Sequence, residues 1–232
     1  MTDSQLEPKK STKLSEISSI TNGTEHRAGL EPVDFADALI VTGEADPFSR
    51  ARLEAVFARL APRAITDWHA TTNTVDVAGL LERLPATARR GRVDDVHAPL
   101  LQGEPPLTTE LGIGLVEFTA ERPFHPQRLH EAIDVLLTGV IRVRGRLWIA
   151  GHADRVVQIE SAGGGLRVGD AGLWLAAMTP DQRERQPALR RTMAALRWHP
   201  RFGDRDISIV ALVHSADPSE IERTLRWALL TD

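Results

Sequence analysis

The sequence of 232 residues contains no cysteine. Disulfide bonds, thiolate nucleophiles and thiolate zinc sites are therefore excluded together. Excess positive charge is missing too, because 28 lysine and arginine residues stand against 32 aspartate and glutamate residues, a formal net charge of −4. A general polyanion binder needs clustered positive charge to neutralise phosphates, so the composition disfavours this class of protein.

Long apolar runs are also absent, since no stretch approaches the roughly 20 residues that span a bilayer. The first residues are polar and basic and lead into no apolar run, which is unlike a secretion signal. With 42% hydrophobic residues, the chain has enough apolar side chains for a real core. We therefore expect a soluble cytoplasmic protein.

Lysine occurs only near the start of the chain, at Lys9, Lys10 and Lys13, and arginine is the only strongly basic residue after them. The same stretch is rich in Ser and Thr, whereas the later chain is rich in Ala, Arg, Leu and Pro. This change of composition predicts a disordered tail over residues 1–31.

Residues 32–92 have the pattern of an α/β fragment. A short apolar run at 38–41 indicates a buried strand. After a possible helix cap at Ser49, apolar residues recur at helical spacing within residues 53–60, which predicts a helix. Ala64-Ile65 begins a second strand, and Asp76 caps a second helix. Two strands are too few to bury a parallel sheet on both faces, so we interpret this segment as the remnant of a larger α/β domain.

Residues 93–109 contain several prolines and polar residues and are predicted to be a linker. Residues 110–232 have the element order β-α-β-β-β-α-β-α, which predicts an α+β domain with a sheet covered by helices. Its helices include one that starts at Pro126, one around Leu189, Met193 and Leu196, and one capped by Asp217. Every apolar face in this segment has a candidate partner within it, so we expect residues from about 107 onward to fold alone.

Signatures of catalysis are weak. Lys10-Ser11-Thr12 imitates the end of a phosphate loop, but no glycine or strand precedes it. The glycines at 163–165 are more typical of a hairpin turn than of a phosphate cradle. The histidines show no ligand spacing, although a metal site assembled in three dimensions stays open. We predict no catalytic residues, no metal site and no cofactor.

Three arginines alternate along one predicted strand, at Arg142, Arg144 and Arg146, and Trp148 continues the row. Alternation places their side chains on one face of the sheet. Three interpretations stay open: a solvated face, a docking surface for an acidic partner, and a surface for single-stranded nucleic acid. We take these four residues as the candidate partner-binding site.

An ordered series of motifs in the last half of the chain resembles the C-terminal domain of the CobW family of metallochaperone GTPases. The motifs are Ile113-Gly114 through Phe118, Arg122 through Leu129, Arg142 through Trp148, Ser161-Ala162-Gly163, Trp174, Trp198 through Arg205, and Leu229 through Asp232. The resemblance implies a role in metal, and particularly zinc, homeostasis.

The resemblance extends upstream with departures. Residues 36–41 are similar to the family's strand before the guanine-reading Asn-Lys-x-Asp motif, but Thr42 and Gly43 stand where Asn and Lys are expected. Ala45, or Asp46 after a one-residue slip, takes the acidic position. The phosphate loop, magnesium-binding segments and Cys-x-Cys-Cys metal motif of the family have no counterpart here. The resemblance thus implies a degenerate nucleotide site and a chain lacking the front of the GTPase domain.

Together these observations predict a non-catalytic partner-binding protein in zinc homeostasis. Its expected partner is a protein, such as a full-length CobW-type GTPase or a metal-dependent client, and neither a membrane nor a nucleic acid. Two alternatives stay open. The chain is one half of a GTP-dependent zinc metallochaperone that another chain completes, or it is an adaptor that contacts the translation machinery under metal stress.

Overall fold

The structure is a computed structural model that describes residues 33–92, 97, 100, 101, 103–162 and 165–231. The predicted disordered tail at 1–31 lies outside the described residues. The mixed α/β character expected from the sequence is confirmed, with seven strands in two sheets within the described residues. In that part of the chain, no helix has the length and apolar character needed to cross a membrane.

The first described segment begins with a short 3-10 turn, Val33–Phe35, and alternates strands with helices. Its elements are β1 Ala38–Thr42, α1 Pro47–Leu60, β2 Ile65–His69 and α2 Val77–Glu82. Strands β1 and β2 pair in parallel, with Ala38 opposite Ile65 and Thr42 opposite His69. This parallel sheet therefore has two strands within the described residues, which is the number that the sequence pattern predicted.

Helix caps in this segment are set by aspartates. Asp46 caps α1, accepting the backbone N–H groups of Phe48 and Ser49 at 3.0 and 3.1 Å. The expected cap at Ser49 is wrong, because Ser49 lies inside the helix, where its hydroxyl donates to Asp46. Asp76 caps α2 as predicted, since its side chain accepts from the backbone of Gly79. The carboxylates satisfy N–H groups that a helix start leaves unpaired.

The second segment is an antiparallel sheet with helices. Its elements are β3 Ile113–Ala120, α3 Pro126–Ala132, β4 Val140–Leu147, β5 Arg155–Ala162, β6 Gly165–Leu173, α4 Pro180–Glu184, α5 Ala188–Leu196, β7 Ile207–His214 and α6 Pro218–Trp227. Short 3-10 turns follow α3, at Ile133–Leu136, and β6, at Leu175–Ala177. Two helices, α4 and α5, lie between β6 and β7, where the sequence suggested one. The strand order across the sheet is β3-β7-β4-β5-β6.

One face of this sheet holds the larger core. Val143, Ile207 and Ile209 are fully buried there and pack with Ile221 and Leu225 of α6. Helix α3 adds Leu129 and Ala132 to the same cluster. Burial of these side chains is the main favourable contribution to folding of this segment.

The opposite face of the sheet is covered partly by the first segment. Val56 and Phe57 of α1 pack in one buried cluster with Ile113, Ile141 and Leu212 of the sheet. The expectation that residues from about 107 onward have all their apolar partners within their own segment is therefore wrong. The two segments share a core.

The predicted linker at 93–109 also contacts the body of the protein where it is described. The buried guanidinium of Arg59 donates to the backbone oxygen of Thr108 at 2.6 Å. The ring of His97 lies edge-on to Trp174, with centroids 6.4 Å apart. These contacts place parts of the predicted linker against both segments.

Candidate functional site

The predicted arginine row lies on β4. Cross-strand register places Arg142 opposite Leu212 and Arg144 opposite Val210 on β7. Residues directly opposite one another share a face, so the three arginines lie together on the face that α1 partly covers, as their alternation predicted.

Arg142 is not exposed. Only 3% of its surface is accessible, and its Nε and Nη2 atoms donate to one carboxylate oxygen of Asp34 at 3.0 and 2.9 Å. A third donor, Nη1, reaches the backbone oxygen of Ser161 at 3.1 Å. Asp34 belongs to the 3-10 turn before β1, so this ion pair joins the two segments.

Arg144 sits beside the same carboxylate. It lies 3.7 Å from Asp34 and 3.9 Å from Glu160, and its guanidinium stacks over the ring of Phe35 at 4.9 Å from the centroid. Burial raises the pKa of Asp34 above its usual value, although Arg142 and Arg144 both act to lower it. One oxygen of Asp34, Oδ1, has no hydrogen-bond partner within the described part of the chain.

Arg146 is paired elsewhere. Its Nε and Nη2 atoms donate to the two oxygens of Asp206, each at 2.8 Å, and the residue is 4% exposed. This is the bidentate geometry in which arginine binds a carboxylate most strongly.

Trp148, the last member of the predicted site, is 5% exposed. Its ring packs against Phe202, with centroids 5.1 Å apart, and belongs to the larger core. Arg142 and Arg146 are therefore not the exposed charges that a docking surface needs, and Trp148 is buried as well, because acidic and aromatic side chains of the same molecule cover them. Contact of the row with a partner stays a prediction, and only Arg144, whose side chain is 15% exposed, offers surface for it.

Sequence reasoning missed the acidic partners of the row, Asp34 and Asp206. They lie 108 and 60 residues from the arginines that they bind. Alternation in a strand shows which side chains share a face, but it carries no signal for what covers that face.

The degenerate nucleotide segment follows β1. Thr42 ends the strand, and Gly43 turns with φ of +115°, a conformation that favours glycine. Asp46, at the acidic position, is turned back into its own helix as the cap of α1. Hydrogen bonds from the Ser49 hydroxyl and backbone lower the pKa of Asp46. This carboxylate therefore serves helix structure.

The other candidate motifs give no centre within the described residues. Groups of three or more histidines, aspartates or glutamates that could hold a metal ion are absent from this part of the chain. Lys10-Ser11-Thr12 and the glycines at 163 and 164 lie outside it. The strands beside those glycines pair antiparallel, with Ala162 opposite Gly165, which agrees with the hairpin interpretation.

Exposed apolar side chains mark the two-stranded segment. Ile40 of β1 is 41% exposed, and Val77 and Leu81 of α2 are 53% and 60% exposed. Parallel sheets are normally covered on both faces. Three apolar side chains of this segment are therefore exposed, and we call them together the α/β surface.

These features define a mixed α/β protein, with an antiparallel sheet that shares its core with a short parallel α/β unit. The chain belongs to the CobW C-terminal domain family, because the family model described as the cobalamin synthesis protein cobW C-terminal domain matches residues 113–229.

Similar proteins extend the likeness upstream of that domain. The chain is 48% identical over 200 residues to a zinc chaperone of Mycobacterium tuberculosis, covering 86% of this chain and 48% of that protein. It is 31% identical over 134 residues to a zinc-regulated GTPase metalloprotein activator of Dictyostelium discoideum, covering 55% of this chain and 27% of that protein. The chain thus spans at most about half the length of these relatives.

Among solved structures, the chain is similar to the zinc-bound YjiA GTPase from E. coli. The TM-score is 0.44 with 14% identity, over 85% of this chain and 54% of that chain.

Proposed function

We propose that this chain is a cytoplasmic, non-catalytic partner-binding protein of zinc homeostasis. Its membership of the CobW C-terminal domain family and its likeness to a protein named as a zinc chaperone support the zinc role. The partner is a protein, either a CobW-type GTPase or a metal-dependent client.

The observation that carries the non-catalytic part is the position of Asp46. A carboxylate that reads a nucleotide base must point its oxygens at the base, whereas both oxygens of Asp46 accept hydrogen bonds from its own helix start. Thr42 and Gly43 supply neither the amide nor the ammonium group of the family's base-reading motif. The chain alone therefore lacks a means of recognising guanine at this position.

Calorimetry with GTP and a phosphate-release assay test this part of the proposal. We expect neither binding nor hydrolysis by the purified chain, and micromolar affinity for GTP would contradict the proposal.

Zinc content after dialysis against a weak chelator gives a second test. Because thiolates are absent, we expect no zinc to be retained, and a stoichiometric amount would reveal a site formed by other ligands.

The partner-binding part rests on the α/β surface. The two-stranded parallel sheet exposes Ile40, and helix α2 beside it in sequence exposes Val77 and Leu81. Parallel sheets are normally covered on both faces, so we interpret these exposed apolar side chains as an interface for another protein. Replacing Ile40 and Leu81 with Glu is expected to abolish capture of a full-length CobW-type relative without altering thermal stability. The matched control replaces Arg223 and Arg226 on α6, which are exposed on the other segment, and is expected to leave capture unchanged.

The same surface favours a second candidate function, one half of a GTP-dependent zinc metallochaperone that another chain completes. An incomplete parallel sheet is the observation in its favour. Nucleotide binding by a mixture of the two chains that exceeds the sum of the separate chains would support it. The translation adaptor is less favoured, because Arg142 and Arg146 are occupied within the molecule.

A further inference from the structure

Helix α5 leaves large apolar side chains in solvent. Leu189 and Leu196 are 68% and 76% exposed, and Trp198, just after the helix, is 43% exposed. None of the nine residues of α5 is buried. Leu189 and Leu196 are seven residues apart in sequence, so their side chains lie on the same side of the helix. Exposed apolar side chains that cluster within a polar surrounding are typical of interaction sites.

Another side of α5 faces the body of the protein. Arg190, Met193 and Ala194 line a narrow gap between the helix and the sheet, and Arg190 donates to the backbone oxygen of Leu173 at 2.6 Å. The two leucines lie roughly a quarter turn of the helix away from this side. The contacts that hold α5 in place therefore leave both leucines uncovered.

The chain around α5 is basic. Residues 180–201 contain six arginines and two acidic residues, whereas the whole chain has a formal net charge of −4. Two of these arginines are engaged within the molecule, since Arg190 is bound as described and Arg197 lies 3.7 Å from Asp206. The remaining four still outnumber the two acidic residues of this stretch. The excess of charge here is opposite in sign to that of the whole chain.

Three of the remaining arginines accompany the exposed apolar side chains. Arg183 of α4 stacks over the ring of Trp198, with the guanidinium carbon 5.9 Å from the centroid. Arg185 and Arg191 are exposed, and neither forms an ion pair within the part of the chain that the structure describes. We call the following residues the α5 surface: Leu189, Leu196, Trp198, Arg185 and Arg191.

We propose that the α5 surface binds an acidic amphipathic helix of a partner protein. Leucines of that helix pack on Leu189 and Leu196, and its carboxylates lie near Arg185 and Arg191. A helix suits the surface because Leu189 and Leu196 are roughly 10 Å apart along the axis of α5, the spacing of apolar residues at positions i and i+7 of a partner helix. The arginines favour an acidic partner and repel a basic one.

The α5 surface lies on elements other than those of the α/β surface, so its ligand is independent of the partner proposed above. A helix with no buried residue also opens easily by itself, because packing supplies most of the stability of short helices. Burial of Leu189 and Leu196 against a partner therefore stabilises α5. Amide hydrogen exchange over residues 188–196 is expected to slow when the partner helix binds.

Fluorescence anisotropy of a labelled peptide with the full-length chain tests the proposal. The probe is a capped peptide of about 18 residues, long enough to be partly helical in water, with leucine once per helical turn and glutamate and alanine elsewhere. One control peptide has alanine in place of each leucine, and the other has glutamine in place of each glutamate. We expect the probe to bind saturably and about tenfold tighter than either control, and sodium chloride to weaken its binding.

Leu189→Ser combined with Leu196→Ser removes the apolar part of the surface. This variant keeps its fold, because both side chains are largely exposed. We expect it to bind the probe about tenfold more weakly, since the leucines of the probe lose the apolar area that they cover. Val168→Ser, which replaces a 59% exposed apolar residue of β6, is the matched control and is expected to bind the probe normally.

Arg185→Gln combined with Arg191→Gln removes two exposed charges. We expect about fivefold weaker binding of the probe at low salt and a flatter dependence on salt, because each exposed charge contributes little and is screened. Arg223→Gln combined with Arg226→Gln removes two exposed arginines of α6 and is the matched control. It is expected to bind the probe normally.

Three results with the probe would overturn the proposal: no saturable binding, equal binding of the leucine-free peptide, or normal binding by the variant that lacks both leucines. Self-association that the same variant abolishes would overturn it in favour of a second copy as the occupant. Binding of phosphatidylserine vesicles or single-stranded DNA in place of the probe would identify a membrane or a nucleic acid instead. Ile40→Glu combined with Leu81→Glu is expected to bind the probe normally, which separates failure of the α/β surface from failure of the α5 surface.

Discussion

The carboxylate of Asp34 accepts two hydrogen bonds from Arg142, which lies 108 residues further along the chain. Both side chains are more than nine-tenths buried. Because Asp34 precedes β1 and Arg142 lies in the middle of the antiparallel sheet, the pair fastens the parallel unit to the sheet beside the apolar cluster around Val56.

Asp34→Asn is expected to destabilise the protein by roughly 3 kcal/mol, since it leaves the buried guanidinium of Arg142 with only the more distant carboxylate of Glu160, 4.0 Å away. Urea unfolding followed by circular dichroism measures the effect. Asp67→Asn is the matched control, because Asp67 pairs with Arg83 at the surface and its loss should have a much smaller effect. Equal losses in the two variants would show that the Asp34 pair contributes no more than a surface ion pair.

Arg146→Gln tests the second buried pair of the row. Loss of the bidentate contact with Asp206 is expected to cost about 2–3 kcal/mol of unfolding free energy. Arg155→Gln removes an exposed pair with Asp170 and serves as the control, with a clearly smaller loss. If both variants keep full stability, Arg146 does not stabilise the fold and is available to bind a partner, as the sequence alone suggested.

Elements whose signals are local could be predicted from the sequence. Strand β7 follows from its continuous apolar run, and the starts of α3 and α6 follow from Pro126 and Asp217. Each signal depends on neighbours a few residues away, so no knowledge of packing was needed.

Properties that depend on distant residues could not be predicted. The pattern of Leu189, Met193 and Leu196 predicted a buried face on α5, but both leucines are largely exposed. The alternation of the arginines gave their shared face but not the carboxylates of Asp34 and Asp206. In both cases the sequence pattern does not show which residues pack against the face that it predicts. For the arginines, those residues lie 60 or more positions away in the chain.

Val56→Asp is expected to disturb both segments, because Val56 is 2% exposed in the cluster that they share. A carboxylate at this position would be buried without a partner, at a cost of about 3 kcal/mol or more. Hydrogen exchange should show lost protection in β1 and α1 and also in β3 and β7. Leu81→Asp, at an exposed position of α2, should leave exchange unchanged, and loss confined to residues 33–92 would contradict a shared core.

His214 at the end of β7 gives the protein a predictable pH dependence. Burial and the neighbouring charge of Arg52, which contacts the ring, lower the pKa of His214 below its ordinary value. The unfolded chain therefore binds this proton more readily than the folded one, so stability is fully present above the ordinary histidine pKa of about 6.5 and falls as the pH drops below it. Below the lowered folded pKa, this contribution no longer changes.

We expect the melting temperature to decrease between pH 7.5 and pH 5.5, and His214→Gln to reduce that decrease. His130→Gln, at an exposed position on α3, should retain the full decrease. This window lies above the titration of ordinary carboxylates, so it isolates the histidine contribution. Identical pH profiles for the unaltered chain and His214→Gln would show that protonation of His214 does not oppose the contact with Arg52.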